Sequence, residues 1–262
     1  MHAFAVVMLA AAGLAYCGAA ALRWRALRAP GDTKRAHPWL VVAGLLLHSA
    51  GVALSLLDNA HQPFLFGAVA AWAAVACVVF LGRFLAVPST WLLVLPIGGV
   101  ALLVAGAGIA APPAGGGDGG GGWITGLHLA FMAAHLAATL VAGAAGALWL
   151  VAVRQLKSAT VGAFRLPNLP LLERLSERAL VAATALLIGG LATGGAAMRL
   201  GGGFSLAHPT VILALATMAV LTVALGLRAV QRLSRRGIAG AAIICMVLGA
   251  LSLVSLVPGR HG

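Results

Sequence analysis

Charge is scarce in this sequence: only 8% of its 262 residues are Asp, Glu, Lys or Arg, against 62% hydrophobic. A soluble domain carries roughly a quarter charged residues. This chain therefore cannot cover itself with water-facing side chains, and a mean hydropathy of +1.06 points to the bilayer as its solvent. Acid is scarcer still. The five acidic residues, Asp32, Asp58, Asp118, Glu173 and Glu177, are all expected in loops between the apolar runs. A transporter coupled to protons or cations usually keeps a carboxylate within the membrane, so a permease has little support. Paired carboxylates, a serine elbow and a zinc signature are also missing, which leaves acid/base and hydrolytic chemistry without a foundation, and no enzymatic activity is expected. The three cysteines, Cys17, Cys77 and Cys245, form no CxxC or CxxCH, so neither a redox pair nor a covalent haem attachment is encoded. They read as small apolar packing residues.

What is present is a series of continuous apolar runs. With no water in the hydrocarbon, backbone polar groups must be paired internally, which leaves helices or closed barrels. The runs last about 20 residues and lack the alternation of barrel strands, so an all-α integral membrane protein is expected. The windows fall at about 3–22, 38–57, 64–82, 90–111, 123–153, 179–198, 208–230 and 238–257, a bundle of about eight transmembrane helices in one polytopic domain. The first has no basic residues before it and a cluster, Arg23, Arg25 and Arg28, after it, which argues against a cleavable signal.

The net charge of +12 is dispersed in short clusters between the runs rather than gathered in one patch, so nucleic acid is not an expected partner and membrane lipid is. Fifteen of the seventeen basic residues fall in odd-numbered loops. The positive-inside rule then puts both termini outside, on the periplasmic face of a bacterial inner (cytoplasmic) membrane. Trp39, Trp91, Trp123 and Trp149 sit near window ends as interface anchors, and Gly190 and Gly194 make a GxxxG suited to close helix approach. The segment 112–122 (PPAGGGDGGGG) is flexible by composition, and without a GK[ST] sequel it is not a phosphate loop. An inside amphipathic connector is expected at about 166–178, with Leu171, Leu172 and Leu175 as the stripe of a short interfacial helix.

Histidine is the one chemistry-bearing residue within the spans. His48 lies mid-span in the second window, His128 near the outer end of the fifth, and His135 two turns deeper on the same face. His208 opens the seventh. At 1.5 Å per residue, His48 falls between His128 and His135 in depth, so it is able to pair with either across a ligand. Neutral imidazole ligates iron, and facing histidines in an apolar slot suit a planar tetrapyrrole, with Arg199 or His208 for its propionates. The competing reading is that each histidine makes an interhelical hydrogen bond, which for any single one carries at least equal weight.

Several stretches resemble a known family. GLLLHSAGVAL is similar to the histidine-bearing second helix of the YpjD and HemX branch of the CcsA-like cytochrome c assembly superfamily. WLLVLPIGGVALLVAG resembles its fourth helix. WITGLHLAFMAAHLAATLVAGAAGALWLVAVRQLK resembles its fifth, and LPNLPLLERLSERALVAATALLIGGLATGG its connector and sixth. The resemblance implies non-covalent haem b held by His48 and His128 as the axial pair, in a haem-handling inner-membrane protein associated with cytochrome c assembly. The tryptophan-rich WWD segment of haem-transferring members is replaced here by RLGGGFSLAHPTV, with Phe204, His208 and Pro209, and their histidine late in the seventh helix by Arg228. Haem binding without ligation chemistry is therefore the leading expectation. The alternatives are a non-catalytic regulator or scaffold for a tetrapyrrole-synthesis enzyme and, third, a small-molecule permease.

Overall fold

Helix is the only regular structure present among the described residues of the computed structural model, which are 2–28, 36–57, 62–85, 94, 97–102, 123–157, 168–201 and 209–255. Eight helices follow one another among the described residues. They are α1 (His2–Arg28), α2 (Ala36–Leu57), α3 (Gln62–Leu85), α4 (described at 97–102), α5 (Trp123–Lys157), α6 (Leu169–Gly201), α7 (Pro209–Ala229) and α8 (Arg235–Ser255). Six of them, α1, α2, α5, α6, α7 and α8, are long and apolar enough to cross a membrane. The apolar part of α3 described to this standard is the shorter Gly67–Val79. Most of the expected fourth window, the glycine-rich segment 112–122, Trp91, Phe204 and His208 lie outside the described residues.

The outer surface is apolar. Val7, Leu14, Leu46, Ile188, Leu215 and Ile244 are all exposed, as lipid-facing side chains are. The interior is built largely from Ala and Val, with the buried polar groups His48, Ser55, His135, Thr139, Ser176 and Thr217 among them. Lipid tails are as apolar as Leu, so the helices gain little from burial alone. Close packing of small residues and interhelical hydrogen bonds hold them together instead.

Two antiparallel pairs dominate, α1 with α2 and α5 with α6, and α5 also packs against α3 and α8 to join the halves. In the first pair, α2 presents Gly44 and Gly51, one heptad apart, to Tyr16 and Leu9 of α1. A Cβ at Gly44 would stand 2.6 Å from the Tyr16 ring, and one at Gly51 2.9 Å from Leu9 Cγ. Only hydrogen fits at either position. Where α5 meets α8, a Cβ on Gly146 would come within 2.9 Å of the Ala239 carbonyl oxygen, so there the backbones themselves are nearly in contact.

Two sequence expectations are corrected. The stretch expected to lie on the surface as an interfacial connector is instead the start of α6, a helix of 33 residues that runs unbroken from Leu169. Its carbonyl at Asn168 accepts the first helical bonds from Leu171 and Leu172, and Pro170 falls in the first turn, where no intrahelical N–H is needed. Leu172 is fully buried and Leu175 packs against the same core, so the leucine stripe faces protein rather than headgroups. Trp149, expected as an interface anchor, is buried in that core, while Trp39 and Trp123 stand out at 73% and 78% exposure as anchors should.

The α7–α8 connection is a tight turn. The Arg232 N–H reaches the Leu227 carbonyl and the Gln231 N–H the Arg228 carbonyl, a Schellman closure with Gln231 in the left-handed position at φ 56°. Ser234 then caps α8, its Oγ accepting from the Gly237 N–H at 3.2 Å.

Candidate functional site

His48 sits where α1, α2 and α3 meet, and its ring is fully used. Its Nε2–H donates to the Ala68 carbonyl at 2.9 Å, since a carbonyl can only accept. That leaves Nδ1 as the acceptor for the Tyr16 hydroxyl at 3.3 Å. Both residues are at 0% exposure. The Tyr16 ring packs on Gly44 of α2, and a Cβ at Gly98 of α4 would stand 3.0 Å from Tyr16 Cβ. Nearby, Trp72 of α3 donates to Ser49 Oγ at 2.9 Å.

His128 and His135 are placed differently, along the seam of α5 and α6. His128 donates from Nδ1 to the Gly190 carbonyl at 2.7 Å, and His135 from Nδ1 to the Ala183 carbonyl at 2.8 Å. One heptad further on, the Ser176 hydroxyl of α6 donates to the Ala142 carbonyl of α5 at 3.2 Å. The three contacts climb α5 through 128, 135 and 142 while descending α6 through 190, 183 and 176. A seven-residue step returns a helix to nearly the same face, so all three fall on one antiparallel seam. Each histidine thus carries its proton on Nδ1, and its Nε2 retains a lone pair with no protein partner among the described residues.

The α6 glycines, expected to bring helix backbones together, instead seat side chains of α5. A Cβ at Gly194 would stand 2.8 Å from His128 Cε1, and one at Gly190 2.6 Å from Met132 Sδ. His128 is half-buried near the start of α5, whereas His135 is nearly enclosed at 5% exposure.

The expected axial pair of His48 and His128 is not brought together. His48 is bonded into the contact of α2 with α1 and α3, and His128 into the contact of α5 with α6. His128 and His135 cannot share one metal ion either. Two ligands of an ion lie within about 4 Å of each other, and seven residues of helix separate these rings by about 10 Å along the axis. Arg199 is exposed on the last turn of α6, beyond Gly194. Among the described residues no three His, Cys, Asp or Glu side chains cluster to hold a metal. A ring that anchors Nδ1–H on a carbonyl and keeps Nε2 open is the arrangement metal-ligating histidines adopt. His128 and His135 meet that condition, and His48 does not.

An ionic cluster that the sequence reading did not anticipate ties the opposite end of α6 to α7 and α8. Arg228 grips Glu177 with two bonds of 3.3 Å and reaches Glu173 at 3.2 Å, and Arg235 joins Glu173 at 3.1 Å. Its trace in the sequence is the i, i+4 pair of acids on α6 facing arginines at the end of α7 and the start of α8. Tyr16 was missed as well, although a phenol inside an apolar span needs a partner for its hydroxyl.

Comparison with known proteins finds no match: no family model, no curated protein and no solved structure is similar to this chain.

Proposed function

We propose that this chain is a haem-handling protein of the bacterial inner membrane, associated with cytochrome c assembly, that binds haem b without carrying out ligation chemistry. One observation carries the reading: His128 fixes its tautomer on the Gly190 carbonyl and leaves Nε2 free at a half-buried position. Haem supplies an iron that accepts imidazole and an anionic propionate edge. His128 would hold the iron, with its ring oriented by Gly190 and seated on Gly194. Arg199, exposed beyond Gly194 on the same helix, is the cation for a propionate. His135 keeps the same tautomer as a second, deeper nitrogen. His48, with both nitrogens engaged, is assigned to holding α1, α2 and α3 together. The termini lie on the periplasmic side in this reading, which puts the basic loops inside.

The test is spectroscopic. Protein purified in mild detergent from haem-replete cells is expected to show a Soret band that His128→Ala removes and His48→Ala leaves in proportion to folded protein. A colourless chain that also fails to take up added haem would sink this reading. A second reading, a non-catalytic scaffold or regulator of a tetrapyrrole-synthesis enzyme, is favoured by one observation: all three intramembrane histidines already make interhelical hydrogen bonds. A scaffold would keep its function through His128→Ala.

A further inference from the structure

Arg174 and Arg178 lie on α6 one helical turn apart, both exposed, and neither has an ion pair or hydrogen bond with any described residue. That is notable because two carboxylates sit beside them in sequence. Glu173 and Glu177 are engaged elsewhere: Glu173 is held by Arg228 and Arg235, and both oxygens of Glu177 are held by Arg228. Two acids and two arginines therefore cancel within that cluster, and on the adjoining face two further guanidinium charges have no counter-charge among the described residues.

Those charges line a groove of about 360 Å³ formed by Arg174, Glu177, Arg178 and Val181. Glu177 is the one acid among its described lining residues, and the two-pronged contact from Arg228 offsets its charge. Arg174, Arg178 and Val181 follow the i, i+4, i+7 spacing of a single helix face. Beyond them the same face continues as an exposed apolar stripe through Val181, Ala185 and Ile188. The surface is thus cationic at one end and apolar along the helix, with the boundary between the two at Val181.

We propose that this groove binds one anionic phospholipid, its phosphate held between Arg174 and Arg178 and an acyl chain lying along Val181, Ala185 and Ile188. Guanidinium groups are suited to phosphate oxygens because their planar donor fork matches them two at a time. A soluble anion would have no use for the apolar stripe, and a zwitterionic lipid would bring its own cation against the arginines. Basic clusters next to a span recognise acidic headgroups on the same grounds. This assignment does not depend on haem binding.

The test uses the full-length chain in phosphatidylcholine nanodiscs with increasing phosphatidylglycerol, reading retained lipid by native mass spectrometry. The wild-type chain is expected to retain phosphatidylglycerol over phosphatidylcholine. R174Q/R178Q is expected to weaken that retention about 30-fold, and each single variant about 5-fold. R154Q/R236Q, which removes the same charge elsewhere on exposed positions, should leave it unchanged. Because neither groove arginine has a partner among the described residues, R174Q/R178Q should keep the unfolding midpoint of the wild type in phosphatidylcholine alone, and the single variants repeat the test with half the perturbation. Equal loss in R154Q/R236Q would mean a diffuse field rather than a site, and would overturn the proposal. So would undiminished retention in R174Q/R178Q, or displacement of the lipid by equimolar inorganic phosphate.

Discussion

The α1–α2 pair and the α5–α6 pair are built on the same plan and finish differently. Both are antiparallel, and both repeat their contacts every seven residues, Tyr16 with Gly44 and Leu9 with Gly51 in one, His128 with Gly190 and His135 with Ala183 in the other. In the first, the histidine is enclosed and both ring nitrogens are bonded. In the second, each histidine is bonded through one nitrogen, and its other nitrogen has no partner among the described residues. The difference teaches that an intramembrane histidine is not informative by type. The number of ring nitrogens left over, which depends on whether a second helix supplies a hydroxyl, separates a structural histidine from one able to bind.

The largest expected effect breaks the first pair. His48→Ala leaves the Tyr16 hydroxyl and the Ala68 carbonyl without their partner and opens a cavity, a loss of about 2–4 kcal/mol by analogy with buried truncations. Unfolding in mixed detergent micelles measures it. Tyr16→Phe removes only the hydroxyl and should cost about 1 kcal/mol, near the mean for interhelical bonds in membranes. If His48→Ala proves neutral, the closed description of this pair fails.

Next in size is a matched pair of glycine substitutions. Gly44→Ala drives a Cβ to 2.6 Å from the enclosed Tyr16 ring, which has nowhere to go, and should cost about 1–3 kcal/mol of stability. Gly194→Ala pushes instead on the His128 ring, which is half-buried and able to swing away. There the expected result is a small change in unfolding and a clear drop in haem affinity, read by titration of the purified protein. Equal stability losses at the two sites would erase the distinction between closed and open seams.

Much of this was legible in the sequence and some was not, for physical reasons. Apolar run lengths foretold helices, and six of the eight helices are long and apolar enough to cross a membrane. His128 stood out because an imidazole within a span is rare and costly. The partner of His48 was not legible. Depth along the helices placed His48 between His128 and His135, but depth says nothing about azimuth, and α2 turns its histidine to α1 and α3. The connector was misread because a stripe of Leu171, Leu172 and Leu175 looks the same whether its apolar face meets headgroups or α5. The Ser176 contact with Ala142 and the enclosure of Leu172 decide for protein.

The smallest prediction sharpens the second seam. Ser176→Ala removes the third rung while leaving both histidines in place, at an expected cost of about 0.6 kcal/mol in the same micelle assay. Haem titration should not change. A shift there would mean that the rungs act together, so that the open nitrogens depend on the whole seam rather than on His128 alone.

The turn between α7 and α8 bears on how the chain enters a bilayer. A Schellman closure at Gln231 followed directly by the Ser234 cap joins two apolar helices so closely that neither has slack to insert alone. The two helices therefore form a single hairpin whose bend carries Arg228, Arg232, Arg235 and Arg236. Glu173 and Glu177, some fifty residues earlier in the chain, receive two of those arginines. The acids thus act as a latch that fixes where the bend of the hairpin rests against α6.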